Sequence, residues 1–137
     1  MRAVGLDLGS RRIGVAVSDA GGVLASPYQV LERGSDPEED RRRIAAMVAE
    51  LAAERVVVGM PLSLDGSWGP AAHAAAAEAA ALAQVLPVAV ETYDERLTTV
   101  TADRTLRESR MKAPARRRVV DKVAAAVMLQ AWLDSRR

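Results

Sequence analysis

The chain has 137 residues, half of them hydrophobic, which is enough to bury one core and too few for two, so one domain over residues 1–137 is expected. The absence of cysteine excludes a disulfide framework and a thiolate metal site, and charges interrupt every apolar run before it reaches the length of a membrane span. The net charge of +1 averages over an acidic cluster at Glu38, Glu39 and Asp40 and a basic last third with Arg104, Arg107, Arg110, Lys112, Arg116, Arg117, Arg118 and Lys122. Such a segment can meet phosphates, or can equally be a solvated helical face. Met1-Arg2 leads straight into a predicted strand without a secretory signal, so a cytoplasmic location is expected. Aromatics make up only 3% with no Phe, so the core must be built from Ala, Val, Leu, Ile and Met.

Ala3 to Leu8 reads as a strand whose period of two puts Val4, Leu6 and Leu8 on one face and Ala3, Gly5 and Asp7 on the other. The small residues beside Asp7 would let another element approach that face closely. Gly9 to Arg12 is a tight connection, Ile13 to Val17 a second strand, and a third around Tyr28 to Leu31 completes a meander. Asp36 caps a helix opened by Pro37, with Ile44, Met47, Val48 and Leu51 at helical spacing. Arg55 to Gly59 reads as a buried parallel strand and Met60 to Gly69 as a loop. Pro70 opens an Ala-rich helix to about Leu86, and Val88 to Thr92 is a further strand. Thr98 or Thr99 caps a shorter helix to about Arg110, a loop containing Pro114 follows, and a last helix carries Val123, Val127, Met128, Trp132 and Leu133. Three strands joined by short connections, then alternating helices and strands, imply a mixed α/β layer rather than a plain doubly wound sheet.

Three carboxylates stand out. Asp7 ends a buried strand before a Gly-Ser turn, which it either caps or overlooks as a ligand group at the carboxyl end of a strand. Glu95 follows another strand, with Asp94 a competitor for the same role, and Arg96 can either neutralise Glu95 or hold a phosphate bidentately. Asp121 shares a helical stripe with Ala125 and Met128, so it faces the core and needs a partner, Lys122 and Arg118 being near in sequence. Buried carboxylates are costly unless neutralised, and oxygen ligands from separate elements suit Mg²⁺ or Mn²⁺. Metal-dependent phosphodiester chemistry is the expectation. Asp65-Gly66 reads as a turn, Trp68 as cover for the core edge rather than a base-stacking platform, and His73 as structural. No Ser-His-Asp or Cys-His arrangement is apparent.

Four segments in order resemble the YqgF/RuvX family: Asp7-Leu8-Gly9-Ser10-Arg11-Arg12-Ile13-Gly14-Val15-Ala16; Gly59-Met60-Pro61 with Asp65-Gly66; Asp94-Glu95-Arg96-Leu97-Thr98-Thr99; and Val120-Asp121-Lys122-Val123-Ala124-Ala125. The resemblance runs nearly end to end. It implies a ribonuclease H-like fold related to RuvC-type resolvases, with Asp7, Glu95 and Asp121 as catalytic, metal-holding residues. Family members are described as nucleases maturing the 5′ end of pre-16S ribosomal RNA, and some as Holliday junction resolvases. The partner implied is therefore structured RNA or branched DNA, acted on by a monomer or homodimer, with two Mg²⁺ (or Mn²⁺) ions about 3.5–4 Å apart. Arg11, Arg12 and Arg96 would grip flanking phosphates, and the loop with Arg110, Lys112, Arg116, Arg117 and Arg118 would extend the track. RuvC-type sites often hold a fourth carboxylate, for which Asp94 is the candidate. A non-catalytic nucleic-acid-binding module and a sugar-kinase-like ATPase fit parts of the pattern, the latter normally needing two such domains.

Overall fold

The computed structural model describes residues 1–97 and 114–136, with side chains over 1–96 and 120–136. Strands β1 (Ala3–Leu8), β2 (Arg12–Ser18) and β3 (Ala25–Glu32) form the expected meander. Helix α1 (Pro37–Glu50), strand β4 (Arg55–Met60), helix α2 (Pro70–Val85) and strand β5 (Ala89–Asp94) follow, then a 3₁₀ turn (Glu95–Leu97) and helix α3 (Pro114–Ser135). The sheet order is β3-β2-β1-β4-β5. Pairing is antiparallel within the meander and parallel between β1, β4 and β5. This is the mixed five-stranded sheet expected. The shorter helix expected up to Arg110 lies outside the described residues.

The alternation in β1 divides the core. Val4 and Leu6 pack with Ile13, Val15, Val56 and Val58 against Ile44, Met47 and Val48 of α1 and Leu82 of α2. On the opposite face, Ala3, Ala16 and Val57 meet Ala125, Met128, Leu129, Trp132 and Leu133 of α3. Gly5 explains how closely α3 sits, since a Cβ there would lie 2.9 Å from the Leu129 Cβ. Trp132 donates its indole N–H to Glu91 of β5, and the Gln130 side chain accepts from the Ala25 amide at 2.8 Å, so both ends of the sheet are tied to this helix.

Helix starts follow their local chemistry. The Asp36 carboxylate accepts from the Glu38 amide at 3.0 Å, and Pro37 opens α1. Two expectations need correction. β3 spans eight residues rather than four, with Pro27 inside it; β3 is an edge strand, so the missing amide need not break a ladder. Pro114 begins α3 instead of sitting in a loop, as its fixed φ suits a first helical turn, and this puts Arg116, Arg117 and Arg118 on a helix. Among the described residues no helix is long and apolar enough to cross a membrane.

One buried carboxylate serves the fold alone. Asp40, only 2% exposed, accepts from the Gly34 amide at 3.0 Å and from Arg43 at 2.8 Å. Burial pushes its pKa up, but the Gly34 amide and the Arg43 and Arg33 guanidiniums outweigh this and hold it below 3.8. A depressed pKa means its stabilisation is complete above 3.8 and disappears as pH falls through the lower, folded value. Asp40→Asn is therefore expected to lower Tm at neutral pH. The gap from wild type should narrow in melts below pH 3.8; a gap independent of pH would assign the loss to packing instead.

Candidate active site

The row of residues that crosses the sheet at Asp7 builds the site. In the β1–β2 hairpin Asp7 pairs with Gly14. In the parallel β1–β4 pair Leu6 lies beside Val58, so Asp7 and Gly59 follow side by side. All three point toward the α3 face, because Ala3, Ala16 and Val57, two residues or a multiple of two away on the same strands, do. Asp7 is thus flanked by two residues without side chains, and each gap is filled from another element. A Cβ on Gly59 would lie 2.6 Å from Glu95 Oε1, so the Glu95 carboxylate rests over β4 next to Asp7. A Cβ on Gly14 would lie 2.3 Å from the Asp121 carbonyl oxygen, so α3 is seated on β2 at Asp121 itself.

Asp7, Glu95 and Asp121 are 6%, 7% and 4% exposed, and with Asp40 they are the buried carboxylates among the described residues. Asp40 is neutralised within the fold; the other three gather around one row. Among the described residues no three acidic or histidine side chains stand close enough to enclose one ion. The near cation is Arg12, whose Nε donates to Asp121 Oδ2 at 2.9 Å. A cation from the far end of the chain thus reaches Asp121, while the side chain of Arg118, one of the two partners near in sequence, lies outside the described residues. Buried carboxylate oxygens fit a hard cation in chemistry, and one of them, on Asp121, already holds a guanidinium.

Asp94 and Glu95 part company. The Arg96 guanidinium forks onto Asp94, with Nε at 3.1 and 3.0 Å from its two oxygens and Nη2 at 2.7 Å from Oδ2. These bonds hold the Asp94 carboxyl below its ordinary value, despite partial burial. Glu95, not Asp94, turns onto the site, and Arg96 serves Asp94 rather than neutralising Glu95. Arg96 also donates from Nη1 to the Leu64 carbonyl at 3.3 Å, across the loop after β4.

Other expectations divide. Arg11 is exposed on the hairpin turn. Arg110 and Lys112 lie outside the described residues, and Arg116, Arg117 and Arg118 are placed by backbone only. Asp65 accepts from the Ser67 amide at 2.9 Å, as a turn residue does. Trp68 stays 51% exposed, so it covers the core edge only in part, and it meets the exposed His73 edge-to-face with centroids 5.2 Å apart. Arg33 went unrecognised in the sequence. Its Nε donates to the Gly9 carbonyl at 2.6 Å while its other nitrogens fork onto Glu78 of α2 at 2.9 and 2.8 Å, bracing the turn after Asp7. The roles of Gly14 and Gly59 were missed too, although a hairpin centred on Ser10-Arg11 would have put Gly14 opposite Asp7.

Comparison with known proteins agrees with this architecture. The chain is 50% identical over 137 residues to a Mycobacterium sp. (strain KMS) protein provisionally named pre-16S rRNA nuclease, covering 99% of this chain and 81% of that one. A Myxococcus xanthus (strain DK1622) protein of the same name is 47% identical, with 100% and 90% covered. The fold resembles Thermus thermophilus RuvC in complex with a Holliday junction substrate, with a TM-score of 0.57, 17% identity, and 99% and 96% of the two chains covered. The likeness places the sheet and helices in a ribonuclease H-like fold. Residues 1–135 match the family model described as RuvX, Holliday junction resolvase, and the chain belongs to the RuvX (YqgF) family.

Proposed function

We propose that this chain, acting as a single unit over residues 1–137, is a cytoplasmic metal-dependent endonuclease that hydrolyses phosphodiester bonds, processing the 5′ end of pre-16S rRNA. The observation that carries the reading is the gathering of three buried carboxylates around the Gly14–Asp7–Gly59 row, the two glycines making room for the other two acidic residues. The names of relatives near 50% identity support the RNA substrate. The family description supports a second reading, resolution of a four-way DNA junction.

Asp7, Glu95 and Asp121 would hold Mg²⁺ or Mn²⁺, which would activate water for attack and stabilise the leaving oxygen. Asp7, in the middle of the sheet, would be the fixed member of that ligand set. Glu95 and Asp121 would bring their carboxylates from a turn and a helix. Arg11 and Arg12 would lie beside the scissile position, with Arg110 and Lys112 preceding α3 in sequence and Arg116, Arg117 and Arg118 in its first turns. Each phosphate they neutralise on duplex DNA adds about 0.9 to the log–log salt slope.

The test sets a pre-16S 5′-end RNA mimic beside a synthetic four-way DNA junction, with Mg²⁺ and with Mn²⁺. Defined cuts in the RNA alone support rRNA maturation, and paired symmetric cuts in the junction alone support the resolvase. Binding without cleavage of either would reduce the chain to a nucleic-acid-binding module.

Arg12 makes the metal reading measurable without turnover. Its guanidinium competes with a metal ion for Asp121, and a partly exposed ion pair of this kind is worth about 0.2–1 kcal/mol. Arg12→Gln is expected to lower the Mg²⁺ concentration giving half-maximal thermal stabilisation by about two- to fivefold. An unchanged or higher midpoint would separate Asp121 from the metal site.

A further inference from the structure

The loop from Pro61 to Gly69 and the turn that carries Glu95 are joined by one side chain. We infer that Arg96 is a positioning residue, a latch that holds the Glu95 turn and this loop in fixed relation, rather than a phosphate contact. The inference rests on the nuclease reading above and assigns a new role within the same site.

Each guanidinium nitrogen of Arg96 already has an acceptor in the protein. Nε and Nη2 take the two oxygens of Asp94, and Nη1 takes the Leu64 carbonyl. The Arg96 amide donates to Asp94 Oδ1 as well, at 2.9 Å, so backbone and side chain grip the same carboxylate. On the loop side, Gly66 has φ +87° and is held by a 2.8 Å bond from its amide to the Ser63 carbonyl. A Cβ on Gly66 would come within 3.1 Å of Arg96 Nη1 and 3.6 Å of Cζ, so the guanidinium sits against a residue whose conformation and lack of side chain make room for it. Asp65 adds a negative charge beside the same group. Planarity is what the arrangement uses, since a fork reaches two oxygens and a carbonyl at once, which a single ammonium does not reproduce.

The consequence reaches Glu95 through the chain. Glu95 is the residue between Asp94 and Arg96, and its carboxylate must stay over Gly59 to stand beside Asp7. Closing the ring Asp94–Arg96 removes freedom from the one peptide that aims it. The same latch holds in place a loop that displays Leu64, 95% exposed, and Trp68, 51% exposed.

The experiment compares Arg96→Lys, Arg96→Ala and Asp94→Ala with wild type, on whichever of the two nucleic-acid probes wild type cleaves. A latch predicts that all three lower kcat by about 10–100-fold, the range typical of groups that orient a metal ligand, with KM and salt slope unchanged. It further predicts that Arg96→Ala and Asp94→Ala together lose no more than either alone. A phosphate contact predicts the opposite: Lys restores most of the function, Asp94→Ala is near neutral, and Arg96→Ala raises KM and lowers the salt slope by about 0.9 on duplex DNA. Acrylamide quenching of tryptophan gives a readout independent of turnover. Trp132 is buried, so the exposed Trp68 dominates it, and quenching should rise in Arg96→Lys as the loop loosens. If wild type cleaves neither probe yet quenching rises, the nuclease reading fails and the latch stands. Unchanged quenching together with rescue by lysine would overturn the latch.

Discussion

Asp7→Asn is expected to abolish metal-dependent cleavage while leaving the metal-free protein folded and as stable as wild type or more so. Loss of activity should exceed the roughly 100-fold typical of residues that merely support a metal ligand, because Asp7 is the central carboxylate of the row. The stability half of the expectation follows from charge. Three carboxylates, each under a tenth exposed, lie around one row of the sheet, and like charges in a poorly solvated region repel. Asparagine has nearly the same shape and removes one of those charges. A stability equal to wild type within about 1 kcal/mol, or above it, with no cleavage, is the outcome expected from melting and cleavage run on one preparation. A Tm drop of roughly 10 °C would make Asp7 a fold residue, and persistent cutting would remove it from the reaction.

The second large effect separates the two glycines. At Gly14 an added Cβ meets backbone: 2.3 Å to the Asp121 carbonyl oxygen, 2.7 Å to its carbon and 3.2 Å to the Lys122 nitrogen. Backbone in a helix of 22 residues cannot move aside locally, so α3 must lift from β2. Overpacking of a core typically costs about 1–3 kcal/mol, and a clash with main chain belongs at the upper end or above it. Gly14→Ala is expected to lower Tm by about 10 °C or more. At Gly59 the three atoms nearest the added Cβ all belong to the Glu95 side chain, at 2.6 Å for Oε1, 3.0 Å for Cδ and 3.1 Å for Cγ, and a side chain can turn away where backbone cannot. Gly59→Ala should therefore keep most of its stability and lose cleavage, because the displaced carboxylate no longer stands beside Asp7. Equal Tm losses in the two variants would contradict this division.

Much of this was legible before any coordinates. Period-two alternation in β1 placed Asp7, Gly5 and Ala3 on one face, and the helix that the small residues invited is α3. Asp36-Pro37 and Pro70 marked helix starts because the signals are local. What sequence did not reveal depends on distance or on competition between neighbours. Arg12 and Asp121 are 109 residues apart, so nothing local in the sequence announced that ion pair. Arg96 follows Glu95 directly, yet backbone and side chain both favour Asp94 two residues earlier. Pro114 read as a breaker when it was an initiator, since the same fixed φ serves either role.

The seating of α3 on β2 also sets a schedule. During synthesis the hairpin that carries Asp7 can form early, and β4 and Gly59 can join it, but the face they share stays uncovered until the segment around Asp121 has emerged and coiled. Pairing of this kind, between residues so far apart along the chain, is slow to form compared with local structure. Until then at most two of the three carboxylates stand together, so the site is completed only when the helix docks.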